Sequence, residues 1–344
     1  MKGKIMFHDH DDTKIDAYAH IIPLKYMEAF NKAATDKCAR KIPPSLPLHD
    51  LEHRFRIMDR FEGLVQVITL AEPAIEEITD PKKAVDLAKL ANDEMADIVF
   101  KYPDKFVAAI ACLPMNNMDA AMDEADRAVN DLRCRGVLVY SNVNGKPLDS
   151  PEFMPLFEKM STFDLPIYIH PQRSSEFADY LTEQESKYNI YSVFGWPYET
   201  TVAMTRLVFG GVLEKYPNLK IMTHHCGGMV PYYEQRIIQH HDKYEMGRRR
   251  YPYKKGLTKA PIDYYKMFYA DTAIHGNTPA LMCAHAFWGS EHLLFGADMP
   301  LGDRQLGYGS YKKTIRAIDH MDISDTEKAN IFRDNAKRLM RLPI

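Results

Sequence analysis

A closed barrel of eight parallel β-strands, each followed by an α-helix, is the fold class this sequence predicts. Three observations predict it. Short apolar runs alternate with helical stretches along the whole 344-residue chain. Several runs are continuous in Val, Ile, Leu and Phe, as strands covered on both faces are. The residues able to do chemistry fall at the carboxyl ends of those runs, where a (β/α)8 TIM barrel builds its sites. No GxGxxG follows the first run, so an open doubly wound sheet lacks its dinucleotide signature.

In chain order, the strand candidates are residues 15–19, 64–70, 106–111, 136–140, 166–170, 219–223, 267–270 and 293–296. Helical patterns occupy 82–100, 121–132, 151–163, 199–215, 231–241, 278–288, 310–320 and 324–340. In the second of these, Ala121, Ala125, Ala128, Val129 and Leu132 share one face. Gly210 and Gly211 loosen the end of 199–215, and Pro217-Asn218 marks the turn after it. Ser324 and Glu327 have capping-box spacing at the start of the last helix.

There is no internal repeat and no low-complexity linker, so residues 1–344 read as a single domain. Residues 23–60 and 171–197 exceed ordinary connections and read as inserted lids on the catalytic face. Residues 240–261, rich in tyrosine and arginine, read as a contact surface.

A net charge of -3 gives no electrostatic footprint for nucleic acid. No apolar run is long enough to span a membrane, and the first residues lack the apolar core of a leader. The five cysteines form no CxxC pair, which argues against a disulfide framework or zinc ribbon. A reduced, cytoplasmic protein is expected.

The strand ends carry Tyr18 and His20, His170, the pair His224-His225, and Asp298. Alternate residues of a strand share a face, so Tyr18 and His20 are expected to point together into the barrel mouth. Histidines and an aspartate converging from separate strands suit a divalent ion, Zn²⁺ foremost or Mn²⁺. Other histidines read as structure. His8-Asp9-His10 precedes the first strand in a polar stretch, and His49 and His53 fall in the first lid. His240 and His241 end a helix, where an imidazolium meets the helix dipole favourably. His275 is placed to line the mouth without a defined role. Arg173 reads equally as a carboxylate-binding group and as a surface residue.

Several stretches, in order, resemble a known family. IDAYAHIIP, IYIHP and LLFGADMP are similar to the first-, fifth- and eighth-strand motifs of the amidohydrolase superfamily. WPYETT, GGVLEKYPNLK and HCGGMVPYYEQR resemble its branch of aminocarboxymuconate-semialdehyde decarboxylase and the ortho-hydroxybenzoate (γ-resorcylate, carboxyvanillate) decarboxylases. The resemblance implies a metal on His20, His170 and Asp298. It implies His225 as the catalytic histidine, with His224 in a supporting place, and Asp298 as a proton donor as well as a ligand. Trp196 falls where an aromatic side chain meets substrate. Arg236 matches an arginine that reaches a substrate carboxylate across a dimer interface, so a homodimer is expected.

One residue departs from the pattern. Tyr18 stands where the family has the first histidine of HxH, a position some decarboxylase relatives fill with glutamate. A neutral phenol is a poor ligand unless a metal lowers its pKa. Three readings follow: a metal on His20, His170 and Asp298 with Tyr18 beside it against the substrate; a weakened or different metal; or no metal. The first is the expectation taken forward. The function implied is non-oxidative decarboxylation of a small aromatic or unsaturated carboxylate. The alternative is metal-dependent hydrolysis of a lactone or amide, or hydration of an unsaturated diacid, since the fold alone does not choose the chemistry.

Overall fold

Lys14–Ile21 (β1), Leu64–Leu70 (β2), Phe106–Cys112 (β3), Val137–Tyr140 (β4), Ile167–His170 (β5), Ile221–Thr223 (β6), Tyr269–Asp271 (β7) and Leu293–Leu294 (β8) form one eight-stranded parallel sheet. The structure is a computed structural model, and it describes residues 12–34, 43–77, 80–240, 256–303 and 305–344. Each strand pairs with the next in chain order. The chain beyond β8 closes the ring on β1: Ala17 N–H donates to the Phe295 carbonyl and His20 N–H to that of Met299, both at 2.8 Å. The eight-stranded (β/α)8 barrel read from the sequence is the observed fold.

Helices follow each strand. Leu24–Ala33 (α1) and Leu51–Met58 (α2) come after β1, Pro81–Lys101 (α3) after β2, Met118–Asn130 (α4) after β3 and Met154–Phe163 (α5) after β4. Trp196–Phe209 (α6) and Val212–Lys215 (α7) follow β5, and Glu234–Ile238 (α8) and Pro261–Tyr265 (α9) follow β6. Thr278–Trp288 (α10) lies between β7 and β8, and Tyr308–Asp319 (α11), Asp325–Ala329 (α12) and Asn335–Met340 (α13) complete the chain. The capping box at Ser324 forms in both directions, its side chain taking the Glu327 N–H and Glu327 returning to the Ser324 backbone. Residues 23–60, read as a lid, contain two of these helices. Few of their residues are buried, Tyr26 and Phe30 in α1 and Arg54, Ile57 and Met58 in α2, so they cover the barrel with a narrow face.

Two apolar clusters share the interior. The larger joins strands to helices; the smaller fills the barrel and includes Ile15, Ala17, Tyr18, Ile110, Tyr168, Met222 and Met340. Ile15 and Ala17 face inward by alternation, and then the register slips: Asp16 pairs with Gln66 but Ala19 with Ile68. This bulge resets the alternation, so Tyr18 and His20 both face inward. Asp16 holds the bulge, accepting hydrogen bonds from Tyr18 N–H (3.1 Å) and from the Tyr311 hydroxyl (2.6 Å). Burial raises its carboxyl to about 6 against those bonds. Behind β1, the buried Arg54 donates to the His20 carbonyl (2.7 Å) and to Gln66 (2.7 Å), which fixes the strand end that carries His20.

Candidate active site

The strand ends deliver a compact set of polar side chains. Tyr18 and His20 come from β1, His170 from β5, His224 and His225 from the turn after β6, Asp271 from β7, and Asp298 from the segment after β8. All are buried. The turn after β6 shows how the chain aims them. His224 is extended (φ -86°, ψ 162°), whereas His225 and Cys226 are left-handed at φ 53° and 55°. Side chains of this size rarely adopt that conformation, and it recurs at functional sites. Gly227 and Gly228 make it possible. A Cβ on Gly227 would lie 2.1 Å from the Trp288 ring, and one on Gly228 2.4 Å from the Pro197 carbonyl oxygen. The reversal brings both imidazoles to one side, with ring centroids 3.9 Å apart.

Asp298 is the hub. Its Oδ1 lies 3.3 Å from His20 Nε2 and 3.4 Å from His224 Nε2, and its Oδ2 lies 3.9 Å from His225 Nε2. Asp298 is itself left-handed (φ 58°), which turns its carboxylate into the cluster. The ring centroids of His20, His170 and His224 are mutually 5.2–5.6 Å apart. Ligand atoms of these three histidines lie within 4.8 Å of one another, as do those of His224, His225 and Asp298.

The donor set fits a divalent ion. His20 Nδ1 meets Thr69 Oγ1 at 3.1 Å, His170 Nδ1 meets the Pro171 carbonyl at 2.8 Å, and His224 Nδ1 meets the Asp271 carboxylate. A carbonyl only accepts, so His170 is protonated at Nδ1 and keeps its Nε2 lone pair. His20 Nε2 is buried and faces the Asp298 carboxylate at 3.3 Å. Ring nitrogens tied on one side and open on the other are how metal-binding histidines are oriented. Imidazoles with one carboxylate suit Zn²⁺ and Mn²⁺ alike.

Electrostatics follow from crowding. Burial, and then the neighbouring His224, lower the His170 and His225 imidazoles, and burial lowers His20, which keeps them neutral. Asp298 goes the other way. Burial favours its neutral form, but hydrogen bonds from His20, His224 and His225 outweigh it and hold the carboxyl well below the usual range. At His224, burial is likewise outweighed, here by Asp271 and Asp298, and the imidazole is pushed up to about 10.

Among residues expected to meet substrate, Trp196 lies at the cluster. Its ring centroid is 5.9 Å from His170 and 6.0 Å from His225, and its indole N–H donates to the Arg173 carbonyl at 3.1 Å. Arg173 itself is engaged by Glu199 at 2.9 Å. Tyr18 is fully enclosed, its ring stacked on His224 and tilted against Tyr168, so it lies in the layer beneath the histidines. Arg236 is exposed on α8, with no side-chain ion pair among the described residues. The pair His8 and His10, and residues 241–255 of the stretch read as a contact surface, His241 among them, lie outside the described residues.

Two residues escape a reading of the sequence alone. Asp271 accepts from the backbone N–H groups of Cys226 (3.1 Å) and Ala273 (2.9 Å) as well as engaging His224. Its place at the end of a strand, equivalent to Asp298, was the available signal. His224, expected beside the site, stands within it.

No helix among the described residues is long and apolar enough to cross a membrane. The sequence profile described as Amidohydrolase matches residues 15–342. The chain is 30% identical over 304 residues to gamma-resorcylate decarboxylase of Rhizobium sp. (strain MTP-10005), covering 84% of this chain and 86% of that one. It is 28% identical over 295 residues to 2-amino-3-carboxymuconate-6-semialdehyde decarboxylase of Dictyostelium discoideum, covering 85% and 77%. The structure is similar, with a TM-score of 0.75 and 26% identity over 96% of this chain and 97% of the other, to a dihydroxybenzoic acid decarboxylase from Polaromonas sp. JS666 with bound manganese and 2-nitroresorcinol.

Proposed function

The chain belongs to the amidohydrolase family, and we propose that it is a metal-dependent, non-oxidative decarboxylase, a carbon–carbon lyase acting on a small aromatic or unsaturated carboxylate. The observation that carries this reading is the hub at Asp298: one ionised carboxylate faced by His20, His224 and His225, with Trp196 close to His170 and His225. The decarboxylase activities named for its relatives support the substrate class.

His20, His170 and Asp298 would hold the ion, Mn²⁺ or Zn²⁺. Once bound, a divalent ion would supply Lewis acidity toward the substrate carboxylate. The protein's own groups manage the proton. In decarboxylation the bond from ring carbon to carboxylate breaks, CO₂ leaves, and the electron pair ends in a new C–H bond. Asp298 begins ionised, so it must first accept a proton, from the substrate hydroxyl or through His225, before delivering it to that carbon. Neutral His225, 3.9 Å away, is suited to exchange it. Trp196 offers an aromatic face to a flat substrate, and Tyr18 supports His224 from below.

Arg236 is our candidate for anchoring a carboxylate, from its own chain or from a second copy. Exposed Tyr232 and Tyr233, just before α8, and exposed Phe177, Tyr180, Leu181 and Phe194 in the 171–197 insertion support a homodimer. Among the described residues the cysteines at 112, 134, 226 and 283 are unpaired.

The test is a panel of ortho-hydroxybenzoates and unsaturated carboxylates offered to chelated and Mn²⁺-restored protein. CO₂ release that stops on chelation and returns with metal is expected. Products of unchanged carbon count with water incorporated would favour hydrolysis or hydration instead.

A further inference from the structure

We infer that His224 is a metal ligand of this chain, standing in for the first-strand residue that Tyr18 does not supply. The inference rests on the metal-dependent reading above. It starts from position 18. The Tyr18 ring is fully enclosed beneath the histidines, stacked on His224 and tilted against Tyr168, and among the described residues its hydroxyl has no hydrogen-bond partner. A phenol is a poor ligand for a divalent ion beside imidazoles and a carboxylate. The place that such a residue leaves is filled from β6 instead.

His224 belongs to both groups of converging donors, with His20 and His170 on one side and with His225 and Asp298 on the other. No other residue belongs to both among the described residues. Its ring is fixed on two sides. Tyr18 lies flat beneath it at 4.0 Å and 16°, and the Asp271 carboxylate holds Nδ1. Asp271 is in turn fixed by two backbone N–H groups. Nε2 therefore points at the cluster centre, 3.4 Å from Asp298 Oδ1, and an ion bound there would displace the proton it shares with that carboxylate. A carboxylate on one ring nitrogen with the other aimed at converging donors is the outer-shell arrangement of metal-binding histidines. A histidine present only to pack would not need it. The ligand set becomes His20, His170, His224 and Asp298, with His225 left for proton transfer.

The test reads the metal directly. The chelated protein is titrated with Mn²⁺, following loss of the free-ion paramagnetic resonance signal, and the Zn²⁺ form is measured by X-ray absorption to count imidazoles. Wild type is expected to show three imidazoles and His224→Gln two, with Mn²⁺ bound about 100-fold more weakly in that variant. Asp271→Asn keeps the imidazole but removes its anchor, and a loss of about 10- to 100-fold is expected. Tyr18→Phe should stay within about threefold of wild type, having lost no donor. If His224→Gln does not fold, the wild-type imidazole count and Asp271→Asn decide. Three imidazoles retained in His224→Gln, or two in wild type, would overturn the assignment while leaving a metal-dependent enzyme. A wild-type protein that binds neither ion would overturn the underlying reading as well.

Discussion

His224 lies flat against Tyr18, ring centroids 4.0 Å apart and planes 16° from parallel, in the layer where the barrel core meets the polar cluster. The contact predicts opposite outcomes for two substitutions. Tyr18→Phe keeps the stack and removes a buried hydroxyl that has no partner among the described residues, so stability should be unchanged or increased. Tyr18→Ala opens a cavity under His224 and should cost about 3–5 kcal/mol, as aromatic truncations in cores do. Denaturant unfolding measures both. Equal losses in the two variants would mean that the hydroxyl is bonded after all.

The turn that carries His225 depends on glycine at its crossing points. Gly227→Ala would combine a positive φ of 71° with a methyl 2.1 Å from the Trp288 ring. A loss of about 2 kcal/mol or more in stability is expected, together with a drop in activity, because the His225 turn must shift. A variant as stable and as active as wild type would remove the steric account of the turn.

A pH effect follows from Glu76, a buried carboxyl in the turn after β2. Burial pushes it up to about 8 from an ordinary 4.5, and its Oε1 has no partner among the described residues. Between those values the folded protein keeps a proton that the unfolded chain has released. Stability from this group is therefore lost as pH rises through that window, at no more than about 1.4 kcal/mol per unit. Glu76→Gln is indifferent to pH at this site. Its stability relative to wild type should rise between about pH 5 and pH 8 and level off above. Parallel stability curves for the two proteins would refute this.

The proton-transfer roles separate by readout. His225→Gln should lower kcat by about 10²- to 10⁴-fold, the ordinary worth of a general acid or base. Its Mn²⁺ affinity should change little. Asp298→Asn should lose both activity and metal affinity, because the carboxylate meets the ion and the proton. Full activity in Asp298→Asn would end its assignment.

Much of this is legible in the sequence. β2 lies where the apolar run 64–70 put it, and helix α10 occupies 278–288 as its pattern does, because continuous apolar runs and clear caps report burial locally. The convergence of His20, His170 and Asp298 also follows from strand order alone. The helices within 23–60 were not legible, since so few of their residues face the core. Nor was the role of His224. Neighbouring residues of a strand point to opposite faces, which separates His224 from His225 on paper. The left-handed backbone at His225 cancels that separation, and no residue type announces it. Asp271 was hidden for a different reason: its contact with His224 joins β7 to β6 across 47 positions of sequence.

The central claim is tested most directly by one labelled turnover. An ortho-hydroxybenzoate carrying an isotopic label in its carboxyl carbon is incubated with the Mn²⁺-loaded protein in deuterated water, and gas and product are analysed by mass spectrometry. The account predicts labelled CO₂ and a product that carries deuterium at the carbon which lost it. Retention of the label in a product that has gained the elements of water would contradict it.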